Sequence, residues 1–202
     1  MAKYHHGNLR REVLNCAIAM ITEHGVEGLS LRKVAKELGV SHAAPSHHFK
    51  SKSDLLAEII RESYEMLTST ILAAIADHDE TTATQRLRIM GSTSMRWAVA
   101  NKARFSVMMN PDVSRFAEEA VHKALAEFVG VVADAIGEAK GEGFYPDTSN
   151  AILLLYAIGA ANGIATVLTD DLVKTAVGVD IGENDYDALA SLIVDTRDER
   201  PR

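Results

Sequence analysis

Apolar residues recur along the chain at helical spacing, and no stretch alternates as a half-buried strand would. Leu9, Val13, Ala17, Met20 and Ile21 form one stripe, closed by His24, and Gly25 follows where a helix-ending glycine belongs. Ser30 then precedes Leu31, Val34, Ala35 and Leu38, which fall at i, i+3, i+4 and i+7. Ser30 reads as an N-cap and Gly39 as the stop. Ser41 can cap a third, short helix to about Phe49, with Pro45 near its first turn, where a missing N–H costs least. A long amphipathic helix is predicted from Ser53 to Ala76, with Leu56, Ile59, Ile60, Leu67 and Ile71 on one side and Asp54 complementing its N-terminus.

Beyond a His78–Thr84 loop, the pattern predicts helices over Gln85–Ala100 and Ala103–Met109, interrupted at Asn110-Pro111. Others are predicted over Val113–Lys140, ending in Gly141-Glu142-Gly143, and over Asp147–Leu168. Gly178–Asn184 reads as a loop and Asp185–Asp195 as a last short helix before a frayed, charged tail. The expected fold is all-α: a three-helix head over residues 1–55, then a helical body over 56–202. The longest apolar stretch, Ala151–Ala161, carries Gly159 and reads as too short to span a bilayer. Lys3, Tyr4, His5 and His6 precede no apolar h-region, so export is not expected. Cys16 is the single cysteine; it fits a reducing cytoplasm and, on an apolar stripe, reads as a buried structural thiol.

The formal net charge of −7 argues against nucleic acid until its distribution is considered. Residues 1–52 hold eight Lys or Arg against four acids, a surplus of +4, so the remainder carries −11. Six of the eight histidines also precede residue 49. A basic head on an acidic body suits a head that meets phosphate and a body that does not.

A helix, a Gly39-Val40-Ser41 turn and a second helix make the spacing of a helix-turn-helix, although many αα-corners share it. The flanks are more specific. Ser30-Leu31-Arg32-Lys33-Val34-Ala35-Lys36-Glu37-Leu38-Gly39-Val40-Ser41-His42-Ala43-Ala44-Pro45-Ser46-His47-His48-Phe49-Lys50-Ser51-Lys52-Ser53-Asp54-Leu55-Leu56 resembles the DNA-binding signature of the tetracycline-repressor (TetR) family. Tyr4-His5-His6-Gly7-Asn8-Leu9-Arg10 resembles the N-terminal arm of one branch of it. The resemblance covers about a quarter of the chain; beyond it only the all-helical layout matches.

The resemblance implies a homodimeric, ligand-responsive transcriptional repressor on a palindromic double-stranded operator, with no catalytic residue, cofactor or metal. The third helix would enter the major groove, where His42 can hydrogen-bond a base edge and Ala43 can touch a thymine methyl. Arg32 matches a position that reaches a guanine, and phosphate contact alone is the plainer alternative. Ser30, Ser41, His47, His48 and Lys52 are expected at or near the DNA backbone. Lys52 is favoured there because helix N-terminal N–H groups also face the anion. His48 could instead pack before Phe49. Ser46 stands where the family usually has a tyrosine that packs over the DNA backbone, which puts affinity and operator geometry in doubt.

Bulky apolar groups concentrate between residues 90 and 130: Met90, Met95, Trp97, Phe105, Met108, Met109, Phe116 and Phe128. Adaptable Met and aromatic walls suit a small apolar or amphipathic effector, and an ordinary helical core explains the same residues. Asn162, His122 and Tyr156 are candidate polar anchors. Gly159, Ala160, Ala161 and Gly163 permit close helix approach, as the family's dimeric four-helix bundle would need. One branch carries Trp and His-Gly in this helix where this chain has Ile158, Asn162 and Gly163, so its pocket details do not transfer.

Three other functions compete. The histidines invite a metal site, but no H-x-x-x-H pair with an acid base is present, and adjacent His47 and His48 diverge by about 100° on a helix. An architectural DNA binder would need a basic body. A regulator answering to a protein partner, or to no small molecule, is the remaining alternative.

Overall fold

The computed structural model describes residues 9–78, 81–111, 119–178 and 180–194. Among them the elements are α1 (Leu9–Gly28), α2 (Leu31–Glu37), a 3₁₀ turn (Pro45–His47), α3 (Lys52–Ala76), α4 (Ala83–Ala100), α5 (Lys102–Met108), α6 (Glu119–Gly141), α7 (Asn150–Thr169), α8 (Asp171–Val177) and α9 (Asp185–Val194). No strand occurs among the described residues, so the all-α reading holds. The chain divides into two compact units, residues 1–63 with 101–124, and residues 64–100 with 125–202. α3 and α6 each contribute residues to both.

The first unit closes over Val13, Leu14, Ala17 and Ile21 of α1, Val34 and Ala35 of α2, Pro45, Phe49, and Leu55, Leu56 and Ile59 of α3, all buried. Two short helices cannot hide their apolar faces alone, so α1 and α3 supply the rest of this core. Ion pairs fasten its rim. Glu58 accepts from Arg10 of α1 and from Arg61 at 2.8 Å. One turn on, Glu62 pairs with Arg11 at 2.7 Å and with the buried Arg104 of α5 at 3.3 Å. The Arg61 hydrogen bond, seconded by Arg10, holds the Glu58 carboxyl down at about 2. Gly25 sits at φ 68°, ψ 176°, so the expected break after His24 is real, and helical turns resume to Gly28.

In the second unit α4 packs against α7 and α9. Met95, Leu168, Tyr186, Ala190 and Ile193 form one buried cluster there. Arg96 grips α9 through Glu183 at 2.6 Å and Asp187 at 2.9 Å, with its guanidinium 5.2 Å from the Tyr186 ring centre. The N-terminus of α4 is capped from a distance: both carboxylate oxygens of Glu142 accept from the Ala83 N–H at 3.0 Å.

Several elements depart from expectation. The third helix is not a regular α-helix: Ala44 donates to Ser41, His47 to Ala44 and His48 to Pro45, all three residues back, and only Phe49 reaches four back. Pro45 has no N–H to extend a regular ladder here, and the segment tightens into the 3₁₀ turn. α7 begins at Asn150 rather than Asp147, because Ser149 is its cap and Thr148 closes a turn onto Tyr145. α8 was unassigned by periodicity; Asp170 starts it, accepting from the Leu172 and Val173 N–H groups at 2.9 and 3.0 Å. α7 has 20 residues and is long and apolar enough to cross a membrane by length and composition, which corrects the shorter estimate. Thr166 and Thr169 extend it by donating to the carbonyls of Asn162 and Ala165, each at 2.8 Å. The expected start of α6 at Val113 lies outside the described residues.

Candidate nucleic-acid interface

The stretch from Ser30 to Asp54 is built from three local devices. Ser30, in extended backbone, accepts from the Lys33 N–H at 3.2 Å and starts α2. At its end Gly39 donates to Lys36 at 3.1 Å and Val40 to Ala35 at 3.0 Å, the paired bonds of a Schellman stop. Gly39 holds φ 67°, which a side chain would strain. The third device is a capping box: Ser51 Oγ accepts from the Asp54 N–H at 3.1 Å, while Asp54 accepts from the Lys50 N–H at 3.0 Å and from the Ser51 hydroxyl.

Between these anchors Pro45 and Phe49 turn inward, and the Arg10 guanidinium lies 5.2 Å from the Phe49 ring centre. With those two residues fixed in the core, the intervening side chains face outward. Arg32, Ser41, His42, Ala43, Ser46, His47 and His48 are exposed, and Ser30 and Lys52 are half-buried. All nine residues singled out for DNA therefore reach the surface of one segment. His48 is exposed rather than packed before Phe49. Ser41 accepts through its carbonyl from Ala44. Lys36 and Lys50 are exposed beside them and add charge that motif reading did not single out. The surface combines cations, imidazoles and a small methyl face, which can meet phosphates and groove edges.

The residues proposed for an effector are divided between the two units. Met90, Met95, Trp97 and Phe105 are buried, Phe128 and Asn162 are half-buried, and Met109 is exposed. Met95 is wholly enclosed in the cluster between α4, α7 and α9. Phe105 and Met109 fall in the first unit, and the other five in the second. Phe128 lies 5.7 Å from the ring of Tyr64, a partner that spacing did not suggest and whose hydroxyl is pushed up by burial. Tyr156 and His122 are exposed, so neither anchors a site buried in one chain. Phe116 and the Tyr4–Asn8 arm lie outside the described residues. Cys16 is half-buried rather than fully enclosed, and burial, then Glu37, raises its thiol. No group of three or more metal-ligating side chains occurs among the described residues.

Residues 13–59 match the family model described as bacterial regulatory proteins, tetR family. An HTH-type transcriptional regulator of Mycobacterium bovis is 25% identical over 105 residues, 52% of this chain and 45% of that protein. The chain thus spans about half the length of the curated relatives it matches. A solved protein of unknown function from Rhodococcus sp. RHA1 is 28% identical and aligns over 97% of this chain and 96% of its own, with a TM-score of 0.77. The transcriptional regulator FadR of Bacillus subtilis, solved with stearoyl-CoA, shares the fold at 16% identity, 92% and 97% coverage and a TM-score of 0.73.

Proposed function

We propose that this chain, whose residues 13–59 match the family model of bacterial regulatory proteins, tetR family, is a homodimeric, sequence-specific DNA-binding repressor of that family controlled by a small amphipathic effector. The observation that carries this reading is the single exposed surface of Arg32, His42, Ala43, Ser46, His47 and His48, held between a Schellman stop and a capped α3 inside the residues that match the family. Residues 1–55 act as the DNA-binding head and 56–202 as the receptor and dimer body. Arg32 and His42 read base edges; Ser30, Ser46, His47, His48 and Lys52 position the backbone. Selection of bound duplexes from a random-sequence pool tests it. Two related half-sites should emerge with centres about 34–36 Å apart, or a multiple of that. Unselective binding would refute the readout.

Dimerisation is assigned to α7. It packs through Leu153, Ala165 and Leu168, yet leaves Ile152, Leu155 and Tyr156 exposed, with open space beside Gly159 and Gly163. An apolar face of this kind belongs against another apolar face. The length of α7 also admits a membrane, but its packing with α4 and α9 favours a second copy as the cover.

The effector is assigned to the body around Met90, Trp97, Phe128 and Asn162, and α3, which contributes to both units, is the proposed carrier of the change. The stearoyl-CoA bound by the Bacillus subtilis regulator makes acyl-CoA thioesters the first probes. Titration should perturb Trp97 fluorescence, and operator DNA should weaken the same ligand by about 5–150-fold, as reciprocity requires. Equal affinity with and without DNA would remove the allosteric claim. The full enclosure of Met95 favours the second reading, control by a protein partner or by none.

A further inference from the structure

The head's histidines carry the next step, which rests on the DNA-binding reading above. We propose that DNA binding by this protein is proton-linked: His47 and His48 dock on phosphate, and His42 meets the groove edge beside them, as imidazolium cations, so affinity rises as pH falls through the histidine range. Histidine is the side chain whose charge ordinarily changes between pH 5 and 8. Here three of them crowd into seven residues of one exposed turn, in a head that holds six of the chain's eight.

The surroundings leave these rings available. Pro45 and Phe49 take the inward positions, so none of the three imidazoles is needed for packing. Of the elements packed against the turn, α1 carries Arg10, Arg11, Glu12, Glu23, His24 and Glu27, and α2 carries Arg32, Lys33, Lys36 and Glu37. Lys50, Lys52 and Asp54 follow it. Asp54 accepts from the Lys50 N–H and the Ser51 hydroxyl, Glu23 lies 3.7 Å from the His24 ring, and Glu37 is close enough to Cys16 to raise its thiol. Among the described residues no carboxylate bonds His42, His47 or His48, and all three rings are exposed to an incoming phosphate.

The sign follows from linkage. Phosphate stabilises the protonated ring, so the complex binds more protons than the free partners do, and affinity falls as pH rises. Each proton taken up changes affinity by up to about tenfold per pH unit. Each added phosphate contact also steepens the dependence of log affinity on log salt by about 0.9.

The test uses the full-length protein, a duplex selected from the random pool and a scrambled duplex, with binding followed by fluorescence anisotropy at pH 6 and pH 8. Affinity should fall at least about tenfold from pH 6 to pH 8 on both duplexes, because phosphate contacts are shared by all sequences. The salt slope should be steeper at pH 6. The H42Q/H47Q/H48Q variant should be flat in pH, and each single variant should lose part of the effect. Since all three side chains are exposed, the core is untouched, and a Tm close to the parent's verifies this. A flat wild-type profile overturns the inference while leaving DNA binding intact, as does a triple variant that keeps the full pH dependence. Binding of neither duplex at either pH overturns the inference together with the DNA-binding reading.

Discussion

The turn between α2 and α3 and the outer face of α7 are both exposed, and they are exposed in opposite ways. The turn presents His42, Ser46, His47 and His48, beside Arg32 of α2, over a core closed by Pro45 and Phe49. α7 presents Ile152 at 60% and Leu155 at 75% exposure on a helix that packs within its unit through Leu153, Ala165 and Leu168. Neither surface is explained by the folding of a single chain. A fold gains nothing from three bare imidazoles on seven residues, and it loses by leaving large aliphatic groups in water. On the proposed reading one surface meets a polyanion and the other a second apolar surface, and the two fall in different compact units.

The sharpest way to break this contrast is to place a charge on the apolar side. Leu155→Glu should leave the monomer folded, since the side chain is exposed there, and abolish the dimer at micromolar concentration by sedimentation. Operator affinity should then fall by about 10²–10⁴-fold, because the second head no longer binds at high effective concentration. An unchanged dimer would move the interface off α7. On the polar side, Arg32→Ala and His42→Ala should each cost about 1–3 kcal/mol at particular base pairs in a base-substitution series if they read bases. A uniform loss would make them phosphate contacts.

Glu58→Gln tests what holds the head together rather than what it touches. Its carboxyl is held at about 2 by the Arg61 and Arg10 hydrogen bonds, below the ordinary carboxylate range. A depressed carboxylate contributes stability that is complete above its unfolded pKa and is lost as pH falls toward the folded value. The variant should lose about 1–2 kcal/mol at pH 7 in denaturant melts, and the difference should close between about pH 4.5 and 2. A gap that persists at pH 2 would point to packing instead of the ion pairs.

How much of this was legible beforehand depends on whether the deciding contact was local. Ser30, Gly39 and Asp54 act within three or four residues of their partners, so α2, its stop and the start of α3 could be read from spacing alone. The 3₁₀ turn could not, because a proline in a first turn is compatible with either helix type until the neighbouring bonds are seen. α8 was missed although its signal, Asp170 at the cap, was present; seven residues are too few for periodicity to register. The body resisted for a different reason. Met95 and Trp97 look alike as core or as pocket wall, and only three-dimensional neighbours, such as Tyr186 against Met95 or Tyr64 against Phe128, distinguish the two.

The smallest expected effect is also the one with two signs. Lys52 is the first residue of α3, half-buried behind the Ser51–Asp54 box. A cation there opposes the positive end of the helix dipole, so for folding alone it is misplaced, by about 0.3–1 kcal/mol. For an anionic ligand the same position is favourable, because the lysine charge and the positive end of the helix dipole act on it together. Lys52→Ala should therefore weaken binding to every duplex about equally and reduce the salt slope by roughly 1, while the thermal midpoint stays level or rises slightly. A solvated bystander lysine would leave the slope unchanged, and a lysine needed for the fold would lower the midpoint. Only a residue kept for phosphate at a small cost in stability gives weaker binding and an undiminished melt in the same variant.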